Sequence, residues 1–191
     1  MENIKADIKI RALSPDTLED FLYFFDNVAF SDNPDWSTCY CHFYHFSGKT
    51  RQFFKRTAEE NRNASKELIL SEKMKGFIAY LDEKPVGWCN VNSKENFAQI
   101  PFEENSQNKI ASLICFVVAP SYRKQGIARN LLRYAYSDSQ ENSYDILEVY
   151  PRKGELLTDA HSYRGPFSLY KSEGFSIYKE FKDFYVMRKK L

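Results

Sequence analysis

Hydrophobic and polar positions along the first quarter of the chain predict a strand, a helix and a loop. Ile8 to Ala12 alternates apolar and basic residues, which is typical of a half-buried strand. Ser14-Pro15-Asp16 supplies a helix N-cap with proline at the first helical position, and apolar residues then recur at helical spacing from Leu18 to Val28. Ser31 to Gly48 is aromatic and has no steady period, so we expect a loop there.

The pattern changes from helical to extended near residue 75. Two short helices are predicted first, Thr50 to Asn61 and Ser65 to Lys73, with the asparagine-rich stretch between them as a break. Gly76 to Leu81 and Val86 to Val91 then flank the turn Asp82-Glu83-Lys84-Pro85, which is the pattern of a β-hairpin.

The second half of the chain predicts a layered α/β domain. Ile110 to Ala119 is a near-continuous apolar run, as expected of a central strand that is buried on both faces. A loop is predicted at Asn92 to Asn108, helices at Gly126 to Asn142 and Phe167 to Glu173, and strands at Ile146 to Tyr150, Phe175 to Phe181 and Phe184 to Arg188. This order of elements indicates a single domain in which helices cover a mixed sheet.

Composition and charge exclude several classes of protein. The 191 residues carry 27 basic and 26 acidic side chains, so no overall field attracts nucleic acid or an anionic membrane. The longest uncharged, mainly apolar stretch, Ile110 to Tyr122, falls far short of the roughly 20 residues that span a bilayer. Charges at Glu2, Lys5 and Asp7 are unlike a secretion signal and predict a cytoplasmic protein.

The four cysteines are predicted to be reduced thiols. Cys39-x-Cys41-His42-x-x-His45 holds side chains that zinc accepts, but the spacing is poor, and a buried thiol pair with surface histidines is the better interpretation. Cys115 lies inside the apolar run, where burial raises a thiol pKa and makes the group inert. We therefore predict no metal site and no nucleophilic cysteine.

The segment from Ile114 to Leu132 predicts an anion-binding site. A buried strand ends at a proline, a short basic turn follows, and glycine then opens an amphipathic helix whose first N–H groups have no partner within the helix. No acidic residue lies between Ala111 and Ser137, whereas Arg123, Lys124, Arg129 and Arg133 are present, a local charge of +4. The alternative is a solvated basic helix face. Neither a P-loop nor a dinucleotide-binding glycine motif fits the chain.

Two motifs in this half resemble the GNAT acetyltransferase superfamily. Arg123-Lys124-Gln125-Gly126-Ile127-Ala128 is similar to its acetyl-coenzyme A signature, and Leu169-Tyr170-Lys171-Ser172-Glu173-Gly174-Phe175 is similar to its penultimate helix with a tyrosine. The resemblance extends from Lys75 to Leu191, and over residues 1–74 it is one of topology only. Trp36 to Cys41, Pro85 to Cys89 and Glu148 to Pro151 together resemble an uncharacterised bacterial branch of the superfamily.

The resemblance implies a fold and a set of residues that bind acetyl-CoA. The fold would be GNAT-like α/β (α+β), a mixed, mostly antiparallel twisted sheet of six to seven strands flanked by about four helices. Residues 1–191 would form one acyltransferase domain, with a variable acceptor-side half at 1–74 and an acetyl-CoA-binding half at 75–191. The cofactor-binding residues would be Phe116, Val117 and Val118 for pantetheine, and Arg123, Lys124, Gln125, Gly126, Ile127, Ala128 and Arg129 for the phosphates.

The implied reaction is transfer of an acetyl group to a primary amine by direct attack. Tyr170 is predicted to protonate the departing thiolate, with a packed core tyrosine as the alternative. Glu148 is predicted to be the base, because burial in an apolar strand would raise the pKa of its carboxyl. The alternatives are a salt-bridged or outward-facing strand residue in this position, with water or the loop residue His161 as the base.

The sequence leaves the acceptor and the oligomeric state open, a homodimer included. The acceptor would be a small-molecule or peptide amine, and neither nucleic acid nor membrane is expected as a partner. Part of an aromatic set would line its pocket: Trp36, Tyr40, Phe43, Tyr44, Phe46, Phe53 and Phe54. Two other functions remain open, a CoA-binding sensor without turnover and a small zinc-binding interaction domain.

Overall fold

A seven-stranded sheet runs through the protein. The computed structural model describes residues 7–100, 107–154 and 162–191. Its strands are β1 (Lys9–Ala12), β2 (Gly76–Leu81), β3 (Lys84–Ser93), β4 (Ile110–Val118), β5 (Ile146–Val149), β6 (Ser176–Glu180) and β7 (Tyr185–Lys190). They lie in the order β1-β2-β3-β4-β5-β7-β6, and only β4 and β5 pair in parallel. The predicted mixed, mostly antiparallel sheet is therefore confirmed.

Five α-helices accompany the sheet in the described parts of the chain. They are α1 (Leu18–Asn27), α2 (Thr50–Phe53), α3 (Ala58–Leu70), α4 (Ile127–Glu141) and α5 (Phe167–Ser172). α2 is a single turn, so the number of longer helices agrees with the predicted four. None of the helices among the described residues is both long and apolar enough to cross a membrane.

The predicted boundary between the second and third helices was wrong. α3 begins after Thr57, whose hydroxyl accepts a hydrogen bond from Glu60 N at 3.1 Å while the Glu60 carboxylate accepts one from Thr57 N at 2.7 Å. The predicted break directly after Asn61 instead lies inside α3, and so does Asn61 itself. Its buried amide donates to Thr38 O at 2.9 Å, so a tertiary contact outweighs the weak helix propensity of asparagine.

The core lies in two layers, one on each face of the sheet. On one face, α1 packs against β3, where the Phe21 and Trp88 rings meet edge to face at 5.1 Å. On the other face, α4 buries Ile127 and Leu131 against Gly87 of β3. A Cβ atom at Gly87 would lie 2.7 Å from Ile127 Cγ2, so the glycine permits close approach of α4 to the sheet.

The strands β4 and β5 diverge after four paired residues. Their register runs from Ile110 opposite Ile146 to Leu113 opposite Val149, while β4 continues to Val118 paired with β3 on its other side. The edge of β4 from Ile114 to Val118 is therefore left open toward β5. This opening lies beside the N-terminus of α4, which follows β4 in the chain.

Candidate active site

A groove of about 610 Å³ follows the open edge of β4 to the start of α4 and the side of α5. It is lined by Ala29, Phe30, Asn33, Trp36, Phe116, Val117, Val118, Tyr122, Arg123, Lys124, Gly126, Ile127, Ala128, Arg129, Ser162, Tyr163, Gly165, Pro166, Ser168, Leu169 and Ser172. Every predicted cofactor-binding residue except Gln125 lies on this surface. The Gln125 side chain instead donates to Ser121 O at 3.0 Å.

The helix start in this groove has the geometry of an anion site. Gly126 is the N-cap of α4 with φ +83°, a left-handed conformation that favours glycine. The first hydrogen bond of the helix runs from Asn130 N to Gly126 O at 3.0 Å, so the N–H groups of residues 127–129 precede the helical ladder. An added Cβ at Gly126 would meet only Asn130 Nδ2, at 3.8 Å, which leaves open space in front of the glycine.

Two acidic residues from distant parts of the chain offset half of the local positive charge. Arg123 forms an ion pair with Asp32, and Arg129 and Arg133 both form ion pairs with Glu173. The hydrogen bond from Arg133 is the largest cause that holds the pKa of Glu173 below its usual range. The local charge of +4 that the sequence indicated is thus reduced to about +2 by these two carboxylates. The helix N-terminus contributes much of what attracts a phosphate here.

The turn before α5 covers the open edge of β4. Phe116 N donates to Tyr163 O at 2.5 Å, so one sheet N–H in the opening is held by this turn. The Tyr163 ring packs edge to face on the Trp36 indole with ring centroids 5.2 Å apart. Both rings line the groove and also a second cavity, and they form the wall between the two.

Tyr170 is fully buried directly behind this turn. Its hydroxyl donates to Arg164 O at 2.6 Å, and burial raises its pKa well above the ordinary value for a phenol. Gly165 lies against the hydroxyl with φ +80°, and a Cβ there would be 2.3 Å from Tyr170 Oη. Its helix neighbours Ser168 and Leu169 line the groove, whereas Tyr170 does not.

Glu148 lies in a buried ion-pair network away from both cavities. Its carboxylate pairs with Lys94 at 2.7 Å and with Arg188 at 2.5 Å, and it accepts a hydrogen bond from the Tyr150 hydroxyl. The Tyr150 hydroxyl also lies 2.8 Å from Ser112 Oγ. These contacts favour the salt-bridged alternative over the predicted base. His161, the other side chain considered for that role, lies outside the described residues.

Sequence reasoning missed Lys94, because it lies in the polar stretch that was predicted to be a loop. Its side chain is only 8% exposed, since the short turn after β3 directs it back under the sheet to Glu148. The one signal in the sequence was a carboxylate within an apolar strand, which needs a buried cation but does not say which one.

The second cavity, about 520 Å³, lies between α1, the aromatic loop and β4. It is lined by Phe25, Phe30, Asp35, Trp36, Thr38, Cys39, Cys41, Phe43, Tyr44, Phe53, Phe54, Arg56, Asn61, Cys115, Val117, Arg152, Tyr163 and Arg164. Five of the seven aromatic residues expected near the acceptor are among them. The other two are structural, because Tyr40 donates to Asp26 at 2.6 Å and Phe46 packs on Phe53.

The four cysteines are free thiols, and three of them, Cys39, Cys41 and Cys115, line this cavity. A hydrogen bond with Cys41 and burial raise the pKa of Cys115, the direction predicted for it. Burial would also raise the pKa of Cys41, but hydrogen bonds with Cys115 and with Asn90, whose Nδ2 donates to Cys41 Sγ at 3.2 Å, lower it.

The candidate zinc ligands have other partners. His42 Nδ1 lies 3.2 Å from Asn61 Oδ1, and Asn90 Nδ2 lies 3.1 Å from His45 Nε2. Within residues 7–100, 107–154 and 162–191, no three Cys, His, Asp or Glu side chains converge as metal ligands.

Comparisons with known proteins connect this geometry to one family. The model of the acetyltransferase (GNAT) family matches residues 34–154, which include β2 to β5 and α4. A search of curated proteins finds no significant match to the chain.

Solved structures with the same fold cover nearly the whole chain. An N-acetyltransferase PaiA from Thermoplasma acidophilum, crystallised in complex with coenzyme A, is 20% identical with a TM-score of 0.58, and the match covers 97% of this chain and 99% of that one. A GNAT-family acetyltransferase from Streptococcus pneumoniae is 18% identical with the same TM-score and coverage. The ribosomal-protein-alanine N-acetyltransferase from Brucella melitensis is 18% identical, with a TM-score of 0.57 and coverage of 96% and 99%. At these identities the likeness supports the fold.

Proposed function

Because the chain belongs to the acetyltransferase (GNAT) family, we propose that it transfers the acetyl group of acetyl-CoA to a primary amine by direct attack. The observation that carries the proposal is a single groove that joins the open edge of β4 to the exposed N-terminus of α4. An extended amide chain that ends in phosphates fits this surface, because the strand edge pairs with amides and the helix start binds anions.

The diphosphate of acetyl-CoA would bind the N–H groups that open α4. Gly126 lets the phosphate oxygens approach the backbone closely, and Ile127, Ala128 and Arg129 supply N–H groups in the first helical turn. Lys124 lies on the same surface and adds a positive charge beside the diphosphate.

The pantetheine arm would pair with the open edge of β4. Its amides can hydrogen bond with the main chain of Phe116 to Val118, as an added strand would. Phe116 N already donates a hydrogen bond to Tyr163 O, so a ligand carbonyl that pairs with this N–H must replace the Tyr163 carbonyl. The thioester would then lie at the Trp36–Tyr163 wall, next to the second cavity, from which the amine attacks.

We retain Tyr170 as the proton donor to the CoA thiolate. Its hydroxyl bonds to the carbonyl of Arg164, next to the Tyr163 carbonyl that the arm replaces, so a shift of this turn would free the phenol to face sulfur. Burial keeps the phenol protonated at neutral pH, so the proton is present when the thiolate departs.

We propose water as the base that removes the proton of the amine. The Glu148 carboxylate lies outside both cavities and is held by two cations and a phenol, so the geometry gives it no path to the amine. The division into an acceptor-side half, residues 1–74, and an acetyl-CoA half, residues 75–191, belongs to this proposal, as does the predicted cytoplasmic location.

The test is release of free CoA thiol from acetyl-CoA in the presence of a panel of amines. Turnover that depends on the amine, with an acetylated product identified by mass, supports the transferase. Tight CoA binding without turnover of any amine would point instead to the sensor that the sequence left open.

A further inference from the structure

The walls of the second cavity combine aromatic rings with arginine. The rings of Phe25, Phe43, Tyr44 and Phe53 supply a large apolar surface. Three arginines, Arg56, Arg152 and Arg164, reach the same space, whereas the single acid among the described lining residues, Asp35, is exposed at the surface. A cavity with this lining attracts an anionic group attached to an apolar body.

Arg164 is the most unusual of these cations. Its guanidinium lies 5.3 to 5.7 Å from the ring centroids of Tyr44, Tyr163 and Phe184. Its Nε is buried and has no hydrogen-bond partner. No carboxylate of the described residues forms an ion pair with it, although most other partly buried arginines of the protein have one, Arg123 and Arg188 among them. Its other guanidinium contacts are with the Tyr44 and Tyr163 side chains, so no carboxylate among the described residues occupies the planar fork, which suits one.

Arg164 lies next to the proposed reaction site. Its carbonyl accepts a hydrogen bond from the Tyr170 hydroxyl at 2.6 Å. Its neighbour Tyr163 forms, with Trp36, the wall between the cavity and the groove. A molecule whose carboxylate reaches Arg164 therefore lies within a few bonds of the wall where the thioester would end.

We propose that the acceptor is an amine that also carries a carboxylate and an aromatic or large apolar group, as an apolar amino acid does, with its carboxylate bound by Arg164. This rests on the proposed function and specifies its substrate class. A volume of about 520 Å³ accommodates one such molecule. Polyamines are disfavoured, because three arginines repel additional positive charge.

The experiment compares acceptors that differ in one group. L-phenylalanine and phenethylamine share the ring and the amine and differ in the carboxylate, and spermidine represents the polyamines. Release of CoA thiol gives kcat/KM for each acceptor with the parent protein, with Arg164→Gln and with Arg164→Lys. Arg51→Gln is the matched control, because Arg51 is exposed on α2 and does not line the cavity.

We expect kcat/KM for L-phenylalanine to exceed that for phenethylamine by at least about tenfold, the scale of one charge-assisted bidentate contact. In Arg164→Gln this ratio should fall toward one while the KM for acetyl-CoA stays within about twofold, and Arg51→Gln should keep the parental ratio. Should Arg164→Gln fail to fold, Arg164→Lys is decisive, since it keeps the charge, loses the fork and should lower the ratio.

Equal or better turnover of phenethylamine or spermidine, or a ratio unchanged by substitution of Arg164, would overturn the substrate class and leave the acetyltransferase intact. If no acceptor is turned over, calorimetric titration of L-phenylalanine into the CoA-saturated protein decides. Binding that Arg164→Gln abolishes would support the site and contradict the transferase, and absence of binding would contradict the substrate class.

Discussion

Single side chains in this protein owe their roles to partners that are distant in sequence. Glu148 shows this most clearly, because its carboxylate was read as a base from its apolar neighbours along the strand. The strand pattern indicated correctly that the carboxylate is buried. It could not indicate that Lys94, 54 positions earlier, and Arg188, 40 positions later, converge on it. Pairing across a sheet depends on tertiary register, which local periodicity does not encode.

Replacement of Glu148 by glutamine should therefore act on stability. The substitution leaves two cations that are 8% and 13% exposed without their counter-charge, and breaking a buried pair in this way typically costs about 3 to 5 kcal/mol. Urea unfolding measures this loss in the free energy of unfolding. Glu180→Gln is the control, since Glu180 pairs with Lys153 at an exposed site and should cost at most about 1 kcal/mol. A stable Glu148→Gln protein whose acidic limb of the pH–rate profile is displaced would restore Glu148 as the base.

Gly126 offers a test of the anion site. We expect Gly126→Val to weaken acetyl-CoA binding by about two orders of magnitude, because the branched side chain fills the space where the phosphate approaches the helix start. Gly174→Val controls for backbone strain, since Gly174 has φ +85°, an equally open Cβ position and no place in the groove. Calorimetric titration should show normal affinity for the control, and equal losses in both variants would assign the effect to strain.

His45 should make the protein sensitive to acid. Burial lowers its pKa from 6.5 to about 4, so between these values the unfolded chain binds a proton that the folded one does not. Stability is then complete above pH 6.5 and is lost as the pH falls toward 4, by up to about 3 kcal/mol. Chemical unfolding between pH 4 and 7 should give a flatter slope for His45→Gln. An identical slope would mean that His42, whose pKa is also lowered by burial, carries the effect.

At the scale of elements, the strands were predictable and the helix boundaries less so. β4 was recognisable because a continuous apolar run means burial on both faces, and α4 because its apolar spacing follows a glycine after a basic turn. The break between α2 and α3 was misplaced, since Asn61 is a weak helix former in isolation but is held by Thr38 and Arg56 in the fold. The part of the groove between β4 and α4 was as predictable as these two elements, because they are consecutive in the chain and joined by a short turn.

The turn before α5 gives an element-scale prediction for Tyr170. If Tyr170 donates the proton to the CoA thiolate, its replacement by phenylalanine should lower kcat by about 100-fold, the scale of general acid catalysis. Steady-state rates with a turned-over amine measure this, beside a thermal melt, since the lost bond to Arg164 O also costs about 1 kcal/mol. Tyr185→Phe, on β7 and outside the groove, is the matched control. Parental kcat in a Tyr170→Phe protein would show that the residue only packs under the helix.

At the scale of the whole molecule, the two halves of the chain meet at one wall. The groove proposed to bind acetyl-CoA comes mainly from the second half, while the second cavity takes most of its aromatic lining from the loop and short helix between Asp35 and Arg56. The sequence predicted the part of the groove that residues 116–129 line, because one connected segment builds that part. The cavity could be anticipated only as an aromatic cluster, because its arginines come from three separate parts of the chain.

The hydrogen bond between Phe116 N and Tyr163 O has a consequence for how each substrate affects the binding of the other. In the proposed binding mode, acetyl-CoA must separate that pair before it can occupy the strand edge, and Tyr163 also walls the cavity proposed for the acceptor. The free energy of this rearrangement is therefore spent once, by whichever ligand arrives first, and the second ligand binds more tightly by the same amount. Because this coupling is reciprocal, the acceptor should raise the affinity for acetyl-CoA by the same factor as acetyl-CoA raises the affinity for the acceptor.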